Sequence, residues 1–140
     1  MTIEAYLHKI KQCRLKVTPK RKALLELFLK KERYLSPPEA RTLLRPRFKQ
    51  LGLPTVYRIM EELTDLGILI RIKRDSRRLY YTICRAPQHD HHHFICRKCK
   101  RVEEVEFCNF GDIAKFIEDR LQAKTESHFV QVEGLCCRCK

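Results

Sequence analysis

The sequence predicts an α+β chain in two parts: helices closed by a two-stranded hairpin, then a small α/β unit organised by cysteine and histidine. Three observations carry that expectation. The hydrophobic period changes from helical to alternating just after Gly67. Residues 1–84 hold 20 Lys+Arg against 8 Asp+Glu, net +12, whereas residues 85–140 hold 10 against 9, net +1. Two C-x-x-C pairs, Cys96/Cys99 and Cys136/Cys139, lie in the near-neutral part.

The elements follow in order. Ile3, Leu7 and Ile10 fall at helical spacing in a first helix over Ile3 to Cys13. Thr18-Pro19 supplies an N-cap and a first-turn proline for a second helix, which carries Leu24, Leu25, Leu27 and Phe28 to about Lys31. Ser36 and Glu39 form a capping box around Pro37, and the third helix stops before Pro46. A fourth helix, about Leu53 to Leu66, lines up Val56, Ile59, Met60 and Leu63, with Gly67 ending it. Ile68, Ile70 and Ile72 then alternate, Asp75-Ser76 marks a turn, and Leu79 to Ile83 returns. Helices followed by such a hairpin describe a winged helix-turn-helix, in which the last helix enters the DNA major groove. The exposed face of that helix offers Thr55, Tyr57 and Arg58. Beyond the first C-x-x-C pair, Val102 to Phe107 suits a strand, Asp112 to Gln122 an amphipathic helix and His128 to Val132 another strand.

Composition narrows the function classes. With 44% hydrophobic residues and only 4 Gly and 6 Pro, the chain is neither a disordered tail nor a linker. It has no apolar run of the roughly 18 residues a membrane span needs, and Met1 to Lys11 lacks the apolar block of a signal peptide. A cytoplasmic protein with a polyanion-binding first half is expected. The predicted domains are 1–84 for DNA binding, 85–90 as a hinge and 91–140 for dimerisation and metal. That last stretch is a thin core, which a second copy would complete.

The cysteines read as metal ligands. Two C-x-x-C knuckles offer four thiolates, a tetrahedral structural Zn²⁺ set: Cys96, Cys99, Cys136 and Cys139. A redox-active C-x-x-C is disfavoured, because two copies occur with basic flanks. Cys137 is spare, and Cys13 and Cys108 are expected to be buried and inert. In His89-Asp-His-His-His93, strand alternation puts His91 and His93 on one face and His92 with Asp90 on the other. Imidazoles and carboxylates there suit Zn²⁺, Fe²⁺, Ni²⁺ or Mn²⁺. Glu104, His128 and Cys84 are polar residues that a fold could bring close.

The whole order resembles the ferric uptake regulator family of bacterial metal-responsive repressors. The resemblance rests on Leu15-Lys-Val-Thr-Pro-Lys-Arg21, Leu53-Pro-Thr-Val-Tyr-Arg58, Leu66-Gly-Ile68, His91-His-His-Phe-Ile-Cys96 and Glu133-Gly-Leu-Cys136, and spans about residues 10–140. It implies a homodimer whose winged helices grip a palindromic double-stranded DNA operator, with structural zinc at the four cysteines. It places Lys16 where family members reach the minor groove, and Tyr57 and Arg58 on the recognition helix. It sets His91, His93 and Glu104 at a regulatory metal site. His92 and His128 match a second site, to which Asp90 and Asp112 would contribute, Asp112 standing beside the Gly111 that replaces an expected glutamate.

Departures from the family pattern select a branch. Tyr34 stands where iron- and peroxide-responsive members carry a histidine, and Cys84-Arg85 where they carry a carboxylate. Zinc uptake regulators often put a cysteine there, and a thiolate suits Zn²⁺ better than Fe²⁺ or Mn²⁺. The expected regulatory set is therefore Cys84, His91, His93 and Glu104, holding Zn²⁺ or alternatively Fe²⁺ or Mn²⁺. The function expected is a non-enzymatic, zinc-responsive repressor of metal-uptake genes, in which regulatory metal fixes the angle of the winged helices. An iron- or peroxide-responsive regulator of the same family is the first alternative. From other classes come a zinc-containing RNA- or membrane-binding protein and a metalloenzyme, although no Gly-rich phosphate loop or nucleophile–base motif accompanies the ligands.

Overall fold

The computed structural model describes residues 2–74, 77–85 and 91–140. The expected α+β architecture is present, in two compact units, Met1–Pro87 and Gln88–Lys140. The predicted Asp75-Ser76 turn, His89 and Asp90 lie outside the described residues.

The first unit contains α1 (Ile3–Gln12), α2 (Pro19–Lys31), α3 (Pro37–Leu44) and α4 (Leu53–Asp65), followed by β1 (Leu69–Ile72) and β2 (Tyr80–Ile83). Local chemistry sets the helix ends. Thr18 accepts from the Arg21 amide at 3.2 Å, and the Ser36/Glu39 capping box closes in both directions. Gly67, at φ 66°, ends α4 in a Schellman turn: the Ile68 amide donates to the Leu63 carbonyl at 2.9 Å and the Gly67 amide to Thr64 at 2.8 Å. α4 buries Val56, Ile59, Met60 and Leu63 against Leu24, Leu25 and Phe28 of the same core. Each such side chain contributes roughly 1.5–3 kcal/mol of apolar transfer.

β1 and β2 pair antiparallel, Leu69 opposite Ile83 and Ile72 opposite Tyr80. Leu35 adds a bridge to Tyr81, with amide–carbonyl bonds of 2.8 and 2.9 Å, so the segment before α3 is tied to the wing. Ile68, just before the first strand, is buried, as are Leu69 and Ile72 within it, whereas Ile70 is only half-buried. Strict alternation fails because Ile68 still belongs to the Schellman turn and packs with the helices. Tyr6, fully buried on α1, donates from its hydroxyl to the Cys84 carbonyl at 2.8 Å and anchors the end of β2.

The second unit is a three-stranded sheet, β4 (Val102–Val105), β3 (His92–Cys96) and β5 (Gln131–Gly134), in the order β4-β3-β5, with α5 (Phe110–Leu121) between β4 and β5. β3 is antiparallel to β4 and parallel to β5. Two expectations are corrected. The last strand begins at Gln131 rather than His128, because its register is set by Cys96 lying opposite Gly134 rather than by the apolar run Phe129-Val130. α5 begins at Phe110 rather than Asp112, and its apolar stripe is uncovered: Ile113, Phe116 and Leu121 are more than half exposed.

Candidate metal centres and nucleic-acid face

The four cysteines come together through the central strand. β3 ends at Cys96, and the Arg97 amide donates to the Gly134 carbonyl at 2.9 Å, so the start of one knuckle is laced to the approach of the other. The approach is close at Gly134, where a Cβ would sit 3.2 Å from the Phe94 ring and the ring would have to give by a few tenths of an ångström. Lys100, just past Cys99, takes a left-handed φ of 65°, and its amide donates back to the Cys96 carbonyl at 3.0 Å to close the first turn. The Cys139 amide closes the second on the Cys136 carbonyl at 2.8 Å.

The sulfurs of Cys96, Cys99, Cys136 and Cys139 all lie within 4.8 Å of one another, and Cys99 and Cys136 are 3.7 Å apart. That separation is far beyond a disulfide bond of about 2.05 Å. It matches the edge, about 3.8 Å, of a tetrahedron with Zn–S bonds of about 2.3 Å. Backbone amides of Cys99 and Cys136 pull the Cys96 thiol down to about 6. Burial pushes Cys139 up to about 12. A bound cation would hold all four as thiolates, so this donor set fits structural zinc. Cys137 is exposed and stands outside the cluster.

Alternation along β3 divides the histidines as expected. His91 and His93 meet edge-on with centroids 4.7 Å apart, and His93 lies opposite Glu104 across the β3–β4 ladder. Their ligand atoms fall within 4.8 Å of one another. His93 is buried, and its Nε2 has no hydrogen-bond partner. An orphaned imidazole nitrogen on a residue clustered with a second histidine and a carboxylate has the chemistry of a cation ligand. Cys84, the fourth member of the expected set, is buried at the end of β2 in the first unit.

Burial, reinforced by His91, pushes His93 down to about 4, against the opposing pull of Glu104. Its unfolded counterpart takes up a proton near 6.5. The unfolded chain therefore binds more protons between those values, and the metal-free protein is expected to lose stability as pH falls from about 6.5 toward 4. An NMR titration should find the His93 imidazole still neutral at about pH 5.5. A midpoint near 6.5 would contradict this environment.

On the other face, His92 and His128 rings lie 5.0 Å apart, and His128 stacks on Phe110 at 4.0 Å. Here a sequence expectation changes. Among the described residues, the third donor is Cys108, whose sulfur is 3.3 Å from His128 Nε2; Asp112 does not join the cluster. The reason is the earlier start of α5, which puts Asp112 inside the helix and leaves Cys108 in the loop before it. Cys108 and Cys13 are both exposed, not buried as expected, because each sits just beyond an element end.

In the first unit Lys16 and Arg58 are exposed, while Thr55 and Tyr57 on α4 are half-exposed. Two residues that sequence reasoning missed connect them. Arg21, buried at the start of α2, donates to the Lys16 carbonyl and, through Nε and Nη2, to Glu62 Oε2 at 3.2 and 2.5 Å. The other Glu62 oxygen accepts from Arg58 Nη1 at 3.1 Å. The Arg58/Glu62 spacing of one helical turn was the available signal. Tyr34, fully buried, accepts from Arg74 and meets Tyr80 edge-on at 5.2 Å, so it serves as a packing residue beside the wing.

A winged helix with a basic face, joined to a unit carrying a four-thiolate centre and clustered histidines, defines a metal-binding regulator of nucleic acid. The sequence model of the ferric uptake regulator family matches residues 12–133. The chain belongs to that family and is a metal-responsive transcription regulator that binds DNA and metal. It is 32% identical over 126 residues to a ferric uptake regulation protein of Bacillus subtilis, covering 89% of this chain and 85% of the relative. Its fold matches that of a zinc uptake regulator complexed with zinc and DNA, with a TM-score of 0.81 at 23% identity, covering 97% and 91% of the two chains. It also matches the Helicobacter pylori ferric uptake regulator, described as having three functional metal-binding sites, with a TM-score of 0.70 at 24% identity over 99% and 94%.

Proposed function

We propose that this protein is a zinc-responsive repressor of metal-uptake genes, acting as a cytoplasmic homodimer on a palindromic operator and having no enzymatic activity. Residues 1–84 bind DNA through Lys16, Thr55, Tyr57 and Arg58; residues 85–90 are the hinge; residues 91–140 dimerise and hold metal. Zinc at Cys96, Cys99, Cys136 and Cys139 is structural. Regulatory metal is held by Cys84, His91, His93 and Glu104, so that one ion restrains the winged helix against the dimer core. His92, His128 and Cys108, with Asp90, make the second regulatory site. The single observation that carries zinc is the cysteine at position 84: a thiolate added to two imidazoles and a carboxylate would make a donor set that suits Zn²⁺ better than Fe²⁺ or Mn²⁺. The dimer is supported by the apolar groove lined by Val105, Phe107, Phe110, Ile113, Phe129 and Val132, which together with exposed Phe116 and Leu121 is a surface that a second copy would cover. No helix among the described residues is long and apolar enough to cross a membrane.

An iron-responsive reading is favoured by one observation, the 32% identity to a ferric uptake regulation protein. The deciding experiment titrates Zn²⁺, Fe²⁺ and Mn²⁺ into the purified protein while following affinity for a duplex selected from a random library. Zinc should saturate the response at the lowest free concentration; saturation by iron first would overturn the zinc assignment. On the same duplex, Lys16→Ala should weaken binding and lower the salt slope by roughly one. Arg58→Ala should remove about 1–3 kcal/mol and blur sequence preference. Equal binding of selected and random duplex by parent and Arg58→Ala alike would remove α4 as the reading helix.

A further inference from the structure

The carboxylate of Glu62 serves two guanidiniums at once. Oε2 takes the Nε and Nη2 of Arg21, whose side chain is 7% exposed, and Oε1 takes Arg58, which is 63% exposed. Arg21 spends its remaining arm on the Lys16 carbonyl. Three separate segments are thereby joined through one anion: the turn bearing Lys16, the first turn of α2, and α4. Both oxygens are engaged. Two cations share one acid, so the arrangement keeps a positive charge at the protein surface while fixing where it points.

We propose that Glu62 is a positioning residue for DNA recognition: by clamping Arg58 and, through Arg21, the Lys16 turn, it presents the base-reading and groove-reaching elements as one rigid surface. This rests on the reading above that Arg58 contacts DNA. An Arg side chain carries about 2 kcal/mol of rotamer entropy. A base contact made by a preset guanidinium avoids much of that loss, whereas a loose one reaches any nearby phosphate equally well. The clamp therefore bears on discrimination rather than on gross affinity. Burial favours the clamp, because Arg21, only 7% exposed, would be left as a largely buried cation without its acid if Glu62 lets go.

Glu62→Gln separates positioning from charge. The variant gains one unit of net positive charge, which by electrostatics alone strengthens binding to every duplex. Its amide keeps one acceptor oxygen but turns an NH2 group, itself a donor, toward the other guanidinium, so the two-sided clamp is broken. The experiment measures, in the zinc-loaded full-length protein, affinities for a duplex selected from a random library by the parent and for a scrambled duplex of equal composition. The selected-to-scrambled ratio is expected to fall about tenfold in Glu62→Gln, within what one good base contact supplies, while affinity for the scrambled duplex stays level or rises. In an Arg58→Ala background, Glu62→Gln should change the ratio no further. A merely structural Glu62 would lower it in both backgrounds, which overturns the proposal, as does an unchanged ratio in the single variant. If Arg58→Ala alone leaves the ratio intact, the DNA reading itself fails and this inference with it. If Glu62→Gln does not fold, Glu62→Asp takes its place with the same readouts: it keeps the charge for Arg21 but is one methylene too short to span both partners.

Discussion

Serine at Cys96 or Cys139 is expected to strip zinc from the four-cysteine centre and unfold the second unit, the largest effect of any single substitution here. The unit has little else to hold it. Its buried residues among those described are Ile95, Cys96, Cys136, His92 and His93, and α5 buries none. Structural zinc in small domains is worth roughly 10–16 kcal/mol, and where no alternative core exists that binding free energy is folding free energy. Serine offers no thiolate, and one lost vertex leaves three sulfurs whose spacing was set for four. Circular dichroism with metal counting by mass spectrometry should show a zinc-free, unfolded second unit, while Cys137→Ser, altering an exposed thiol, keeps metal and fold. A folded Cys96→Ser protein without zinc would refute a structural role for the centre.

Alanine at Cys84 should leave folding intact and abolish the zinc response. Two anchors of this position are backbone groups: its amide donates to the Ile68 carbonyl at 2.9 Å and its carbonyl accepts from Tyr6 at 2.8 Å. Both survive truncation of the side chain. If the thiolate completes the regulatory set with His91, His93 and Glu104, its loss uncouples metal from DNA. A coupling of about 1–3 kcal/mol corresponds to roughly a 5- to 150-fold gain in affinity on metal binding. Fluorescence anisotropy on the selected duplex, with and without Zn²⁺, should find that gain in the parent and not in Cys84→Ala. An undiminished gain would remove Cys84 from the sensor, and with it the chief chemical reason for preferring zinc over iron.

The sequence by itself determined everything whose cause is local or chemical. Thr18-Pro19, Ser36 with Glu39, and Gly67 end their helices through bonds to neighbours three to five residues away, so these boundaries were legible. The change of period marked the wing, and the charge asymmetry set a strongly basic first half apart from a near-neutral second. Two C-x-x-C pairs announced a four-sulfur centre fit for zinc, because sulfur spacing within a knuckle is itself local. Only tertiary structure decided what depends on partners remote in the chain. The parallel pairing of β3 with β5 moved the last strand to Gln131 and brought Cys136 to Cys96. The start of α5 placed Cys108 rather than Asp112 beside His128. The clamp of Glu62 on Arg21 crosses 41 residues, and no periodicity records it. Hydrophobic period and capping report how a segment relates to itself; which donor meets which acceptor across the fold is set by packing, where the cost of an unpaired buried charge selects the partner.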